Sequence, residues 1–170
     1  MVDRKVSEPA AMSKPSHMDE AIRLAIAAAA LGEVPVGAVI IGPDGRLVAG
    51  AHNETIRRKD PTAHAEMLAI RAAAEVLGSE RLTNCDIYVS LEPCAMCAAA
   101  ISFARIRRLY FAAADPKGGG VDHGARFYLQ DTCHHSPEVY GGIGEIESSV
   151  ILREFFAEKR QKEHINKGKP

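Results

Sequence analysis

Two short stretches constrain this chain more than any other feature, because their side chains make chemical sense only together: His64-Ala-Glu66 and Pro93-Cys94-Ala-Met-Cys97. One imidazole and two thiols, the thiols at C-x-x-C spacing, are ligand types that hold zinc well. Three protein ligands rather than four leave one tetrahedral position for water, the mark of a catalytic zinc. Glu66, two residues past the histidine, is a carboxylate that can take a proton from water beside the metal and pass it on. A C-x-x-C pair has other readings, a redox couple or half of a structural zinc site. A redox couple follows a thioredoxin-like opening strand, whereas this pair lies mid-chain behind Pro93 with a His-x-Glu upstream. A structural site needs a fourth ligand, for which Cys85, Cys133, His134 or His135 could be nominated. With both halves of the motif present, the reading is a catalytic zinc held by His64, Cys94 and Cys97. His123 with Cys133-His134-His135 could suggest a second metal, but adjacent histidines do not easily converge on one ion, and the run reads as loop lining.

A chain of 170 residues is long enough for one domain with a real core and short for two. Its net charge of −1 argues against a generally basic nucleic-acid binder, so any such contact must be local. Four cysteines could form two disulfides in a secreted protein, but no signal peptide is read and a chain this long needs no staples. The longest apolar run, Ala25 to Leu31, is too short to span a bilayer. The expectation is a reduced, cytoplasmic protein with no membrane partner.

Along the chain, residues 1–15 lack apolar periodicity and read as a disordered tail, residues 16–165 as one domain, and 166–170 as a mobile C-terminal tail. A first helix starts at Ser16 as N-cap, with Met18, Ala21, Ile22, Ala25, Ile26 and Ala29 as its buried stripe and Gly32 as its stop. Its alanine run reads as a compositional habit. Val36–Ile41 and Leu47–Ala51 are strands around a Gly-Pro-Asp-Gly turn. Gly37 admits either a close approach or plain packing. Asn53–Thr62 is a polar loop. Ala63–Gly78 is a helix with His64 in its first turn and Met67, Leu68, Ile70, Ala74 and Leu77 on its apolar face. Asp86–Leu91 is a strand, and a helix starts at Pro93 with Cys94 and Cys97 on one face of its first turn. That helix N-terminus favours the thiolates zinc requires. Arg107–Ala112 is the next strand, joined by a parallel crossover. Ala113–Pro137 is a long loop of the kind that serves as a lid, followed by an extended piece at Glu138–Tyr140. A final helix runs from about Gly144 to His164 and docks through Val150, Ile151, Leu152, Phe155 and Phe156. Cys85 reads as a small buried hydrophobe.

The combination H-x-E…P-C-x-x-C is the signature of zinc-dependent nucleobase deaminases. The chain resembles the cytidine-deaminase-like superfamily, and within it the bacterial tRNA-specific adenosine deaminases. The matching stretches are Glu33-Val-Pro-Val-Gly-Ala-Val39, Asn53, Asp60-Pro-Thr-Ala-His-Ala-Glu66, Leu91-Glu-Pro-Cys-Ala-Met-Cys97, Asp115 with Lys117-Gly118, and Phe155-Phe156 near a basic helix. The resemblance spans most of residues 16–162 and implies a three-layer α/β/α sandwich around a five-stranded mixed sheet. It implies one zinc per subunit on His64, Cys94 and Cys97, with Glu66 as proton shuttle. It also implies Asn53, Val36, Ala65, Asp115, Arg153 and Phe156 as substrate contacts. The implied partners are a tRNA anticodon stem-loop and a second copy of the chain, in a homodimer. The implied reaction converts the wobble adenosine, position 34, of a tRNA such as tRNA-Arg to inosine, releasing ammonia. Two alternatives stand beside it: a deaminase of a free base or nucleoside (guanine, cytosine or cytidine), and a non-catalytic zinc-stabilised RNA-binding module.

The wording between Gly118 and Tyr140 departs from better-known members. From Arg153 to Pro170 six Lys or Arg stand against three Glu, and Arg105, Arg107 and Arg108 form a second cluster. With the resemblance in place, both read as RNA contacts.

Overall fold

In the computed structural model the chain is described over residues 16–167; the tail read over 1–15 and residues 168–170 lie outside the described residues. The elements are α1 (His17–Ala30), β1 (Gly37–Ile41), β2 (Leu47–His52), α2 (Thr55–Arg58), α3 (Ala65–Leu77), β3 (Asp86–Leu91), α4 (Ala95–Phe103), β4 (Arg108–Ala113), β5 (Glu138–Gly141) and α5 (Glu145–Lys167). One mixed sheet runs in the order β2-β1-β3-β4-β5; β1 is antiparallel to β2 and β3, while β3, β4 and β5 are parallel.

The alternation of side chains along the strands builds two cores. Ala38, Ile40, Ile87, Val89, Leu109 and Phe111 face α3 and α4, whereas Val39, Ile41 and Ala112 face α1 and, through Ile151, α5. This is the three-layer α/β/α sandwich. Each fully buried Ile or Leu here stabilises the fold by roughly 1.5–3 kcal/mol relative to exposure.

Small residues draw the first layer tight. A Cβ on Gly37 would stand 2.1 Å from the Ala21 carbonyl oxygen and 2.7 Å from the Ala25 nitrogen, so the glycine exists for close helix–strand approach. Ala21, Ala25 and Ala28 of α1 are buried in this layer, whereas Ala30 is exposed, so a packing role belongs to those three and not to the whole alanine run. Ser16 caps α1 by accepting from Asp19 N–H, while Asp19 accepts from Ser16 N–H. Ile26, placed in the stripe from sequence, is 49% exposed, and Ala28 takes its place.

On α3 the buried seam is Ala65, Ala69 and Ala73, one helical turn apart, together with Glu66. The larger Met67, Leu68 and Ile70 flank the seam, and Leu77 is 44% exposed. The apolar face read from sequence is thus rotated, because a helix lying this close to a sheet presents its smallest side chains to it. The polar loop after β2 contains the short helix α2, which sequence reading missed. Helix α5 continues through Lys167, where the sequence suggested a tail from residue 166.

The connection from β4 to β5 has no long helix, yet it returns the chain to a parallel strand. It does so by packing Phe127 and Tyr128, in a single 3-10 turn, against the α3–α4 core.

Candidate active site

The strand register gathers the site at one edge of the sheet. Gly37 pairs with His52, Ala38 with Val89, and Val89 with Phe111. The start of β1, the exits of β2 and β3, and the exit of β4 therefore lie together, carrying Val36, Asn53, Cys94 and Asp115. The carboxyl ends of parallel strands are where open α/β sheets bind ligands.

His64 and Cys94 are not in the first helical turns but are the N-cap residues of α3 and α4, in extended conformation, and neither makes a side-chain cap bond. Pro93 accordingly precedes the cap instead of opening the helix. The cap position turns each side chain outward, free for another partner. His64 Nδ1 lies 3.7 Å from Cys94 Sγ and 3.6 Å from Cys97 Sγ. A tetrahedron with Zn–S of about 2.3 Å and Zn–N of about 2.05 Å has an N–S edge of about 3.6 Å, so the donor set fits zinc. All three ligand atoms fall within 4.8 Å of one another, and among the described residues this is the one such cluster.

The electrostatics favour a cation. A hydrogen bond from Cys97, then one with His64, holds the Cys94 thiol down to about 4, while that shared proton and burial push Cys97 up. The bond with Cys94 also raises His64. Glu66 is 3% exposed, and its Oε2 is buried with no hydrogen-bond partner. Burial pushes its carboxyl up to about 7. An unpartnered buried carboxylate oxygen is costly unless something binds against it.

His64, Glu66 and Cys94 line a cavity of about 280 Å³ together with Val36, Asn53 and Asp115. Ala65 does not line it: the residue is fully buried, with its methyl in the core. Arg153 and Phe156 line a second, larger groove of about 850 Å³ with Lys117 and Arg160, which shares Val34, Leu91, Asp115 and Gly118 with the first. The basic helix thus reaches the mouth of the site.

The other arginine cluster does not. Arg107 binds both oxygens of Asp86 at 2.9 Å, and Arg108 binds Glu138 at 3.0 Å. Both lie at the amino ends of the parallel strands, opposite the cavity, so Arg107 and Arg108 are corrected to structural ion pairing. Two of the three histidines of the long loop are also committed: His123 to Glu92 at 2.7 Å and His135 Nε2 to the Ile106 carbonyl at 2.7 Å.

Sequence reasoning gave no role to two buried carboxylates beside the site, Glu33 and Glu92, at 1% and 2% exposure. Glu92 accepts from the N–H groups of Asp115, Val121, Asp122 and His123, wrapping the long loop around one anion. A Cβ on Gly120 would meet Ala95 N at 2.5 Å, so that loop lies directly on the start of α4. The available signal was weak: a charged residue at the end of an apolar strand, just before Pro-Cys.

Residues 12–113 match the family of the cytidine and deoxycytidylate deaminase zinc-binding region. A tRNA-specific adenosine deaminase of Agrobacterium fabrum is 57% identical over 150 residues, covering 88% of this chain and 98% of that protein. A structure from a study of A-to-I editing by tRNA:A34 deaminases at the wobble position of transfer RNA superposes with a TM-score of 0.78 at 57% identity, over 80% of this chain and 98% of that one. A guanine deaminase from Nitrosomonas europaea shares the fold, with a TM-score of 0.72 at 23% identity over 88% of each chain.

Proposed function

The chain belongs to the tRNA-specific adenosine deaminases, within the family that carries the cytidine and deoxycytidylate deaminase zinc-binding region, and from that membership we propose that it converts the wobble adenosine of a tRNA anticodon, position 34, to inosine with release of ammonia. The observation that carries this reading is the partnerless oxygen of Glu66 beside a three-ligand metal site, in a cavity that shares its wall with a basic groove.

His64, Cys94 and Cys97 would hold a zinc ion, which when bound would supply Lewis acidity that brings the pKa of water down toward about 7. Glu66 takes one proton from water and delivers it to N1 of the adenine as oxygen adds at C6, then takes the second from the new C6 hydroxyl and gives it to the departing amine. Water enters and ammonia leaves, so the balance closes without a further reactant. Burial serves Glu66 here by keeping its carboxyl close to neutrality, where it can both accept and give a proton.

Val36 and Asn53 wall the base. A base within an RNA loop must leave its stack to reach this depth. Asp115, Arg153 and Phe156, with Lys117 and Arg160, lie where the flanking nucleotides would run, offering cations to phosphates and one aromatic face for stacking. We extend the reading to tRNA-Arg as substrate, to a cytoplasmic setting, and to a homodimer.

The test presents tRNA-Arg transcript, guanine, cytosine and cytidine to one preparation whose zinc content is measured. Inosine at position 34 is the expected product. Product from a free base alone, or tRNA binding without ammonia release, would overturn the proposal.

A further inference from the structure

We propose that Glu33 is a positioning residue for this reaction, its carboxylate setting which end of the Asn53 amide faces the substrate. The inference takes its meaning from the deaminase reading above, but its geometry stands apart from it. Glu33 follows Gly32, which ends α1 in the left-handed region, and its own N–H bonds the Ala28 carbonyl at 3.0 Å. That anchor sends the side chain beneath α2. Its Oε1 accepts from Arg57 N–H at 2.7 Å; its Oε2 accepts from Ile56 N–H at 3.2 Å, Asn53 Nδ2 at 3.3 Å and Thr55 Oγ1 at 3.4 Å. Among the described residues no cation pairs with it.

Two functions are combined in that set. The backbone bonds cap α2 from outside, a task its own N-cap Glu54 does not perform, since Glu54 makes no cap bond and pairs with Arg57 and Arg58. The side-chain bonds do something a cap does not need. A carboxylate only accepts, so the end of the Asn53 amide against it must be the NH2. Thr55 Oγ1, which donates to Glu33, accepts the second Asn53 N–H at 3.4 Å. Both amide hydrogens are thereby engaged, and the Asn53 oxygen is left as the group open to the cavity. An asparagine free to flip would present the wrong end half of the time; this one is fixed before substrate arrives.

Glu33→Gln keeps the shape and leaves an oxygen for the Arg57 N–H, so α2 keeps the shorter of its two cap bonds and loses that of Ile56, and it sets one NH2 against another. The experiment is a double-mutant cycle with Asn53→Ala on zinc-loaded protein, read as kcat and KM for an anticodon stem-loop RNA. It is paired with hydrogen exchange of the Asn53 side-chain NH2, followed by NMR without RNA. Glu33→Gln is expected to lower kcat/KM by about 10- to 100-fold, to have less than about a twofold effect in the Asn53→Ala background, and to abolish the slow exchange of that NH2. Equal losses in both backgrounds, or an unchanged NH2 in Glu33→Gln, would reduce Glu33 to a cap and overturn the proposal. Should Glu33→Gln not fold, Thr55→Val, which leaves the carboxylate and its two backbone bonds in place, carries the same cycle. Wild-type protein inert on RNA would overturn the deaminase reading instead, while the exchange measurement would still decide the placement.

Discussion

Glu92 and His123 are joined side chain to side chain, Oε2 to Nδ1 at 2.7 Å, and the carboxylate at the centre of that contact is wholly enclosed. It also holds four backbone N–H groups of the loop that carries Asp115 to the cavity. Removing it in Glu92→Ala strands those donors, at an expected cost of about 3 kcal/mol, or a fall of about 10 °C in Tm. His123 is more than a third exposed and contributes one bond, so His123→Ala should cost about 1 kcal/mol. Calorimetry on the zinc-loaded protein checks the ranking; equal losses would contradict it.

Glu66→Ala should retain one zinc per chain and lose about 10²- to 10⁴-fold in kcat, the usual weight of a proton shuttle. Cys97→Ser should lose the metal itself, because among the described residues the site has no fourth protein ligand to compensate. Metal analysis beside single-turnover kinetics separates the two.

Gly120 touches the first peptide of α4, and a methyl there has no room. Gly120→Ala should push the loop and the Cys94 cap apart, with a stability loss of about 1–3 kcal/mol. A roughly tenfold weaker zinc affinity, measured by competition with a chromogenic chelator, would correspond to about 1.4 kcal/mol at the site.

Arg153 and Arg160 line the groove beside the cavity, whereas Arg107 and Arg108 are paired with Asp86 and Glu138 at the far edge of the sheet. Arg153→Ala with Arg160→Ala should weaken binding of an anticodon stem-loop and flatten its log–log salt dependence by about 1.4, at about 0.7 per single-strand phosphate contact. Arg108→Ala should leave that slope unchanged. Fluorescence anisotropy across a salt series tells them apart.

Acid should loosen the fold in a defined window. Its bond with Arg58 holds Glu54 below the ordinary carboxylate range, and the Tyr140 hydroxyl with Arg108 does the same for Glu138. For Glu92 burial pulls upward, but the loop N–H groups and His123 outweigh it. Depressed folded-state values contribute stability above the unfolded pKa of about 4.3 and lose it as pH falls through the folded values. Tm should therefore drop below about pH 4.3, and Glu138→Gln should make that drop shallower.

How much could be read in advance follows from what each feature depends on. The strand Asp86–Leu91 was legible to the residue, since alternation and a closing Glu-Pro are local signals. The first helix was legible from its capping residue. The buried face of α3 was not, because residue size alone favours Met67 and Leu68, whereas the distance from helix to sheet selects Ala65, Ala69 and Ala73. Nor was the position of His64 and Cys94 as caps, since an extended φ/ψ just before a helix leaves little trace in residue type. Arg107 and Arg108 looked like free cations because their partners, Asp86 and Glu138, lie 21 and 30 residues away.

The sequence by itself determined the chemistry: which atoms can hold a metal, which acid stands two residues from the imidazole, and which strands and helices separate them. Ligand type and spacing are properties of short segments, so they survive without coordinates. Only the tertiary structure decided that Glu33 and Glu92 are buried on either side of the site, one behind Asn53 and the other inside the Asp115 loop. A carboxylate reads as surface until its donors are known, and those donors come from segments that only the folded sheet brings together.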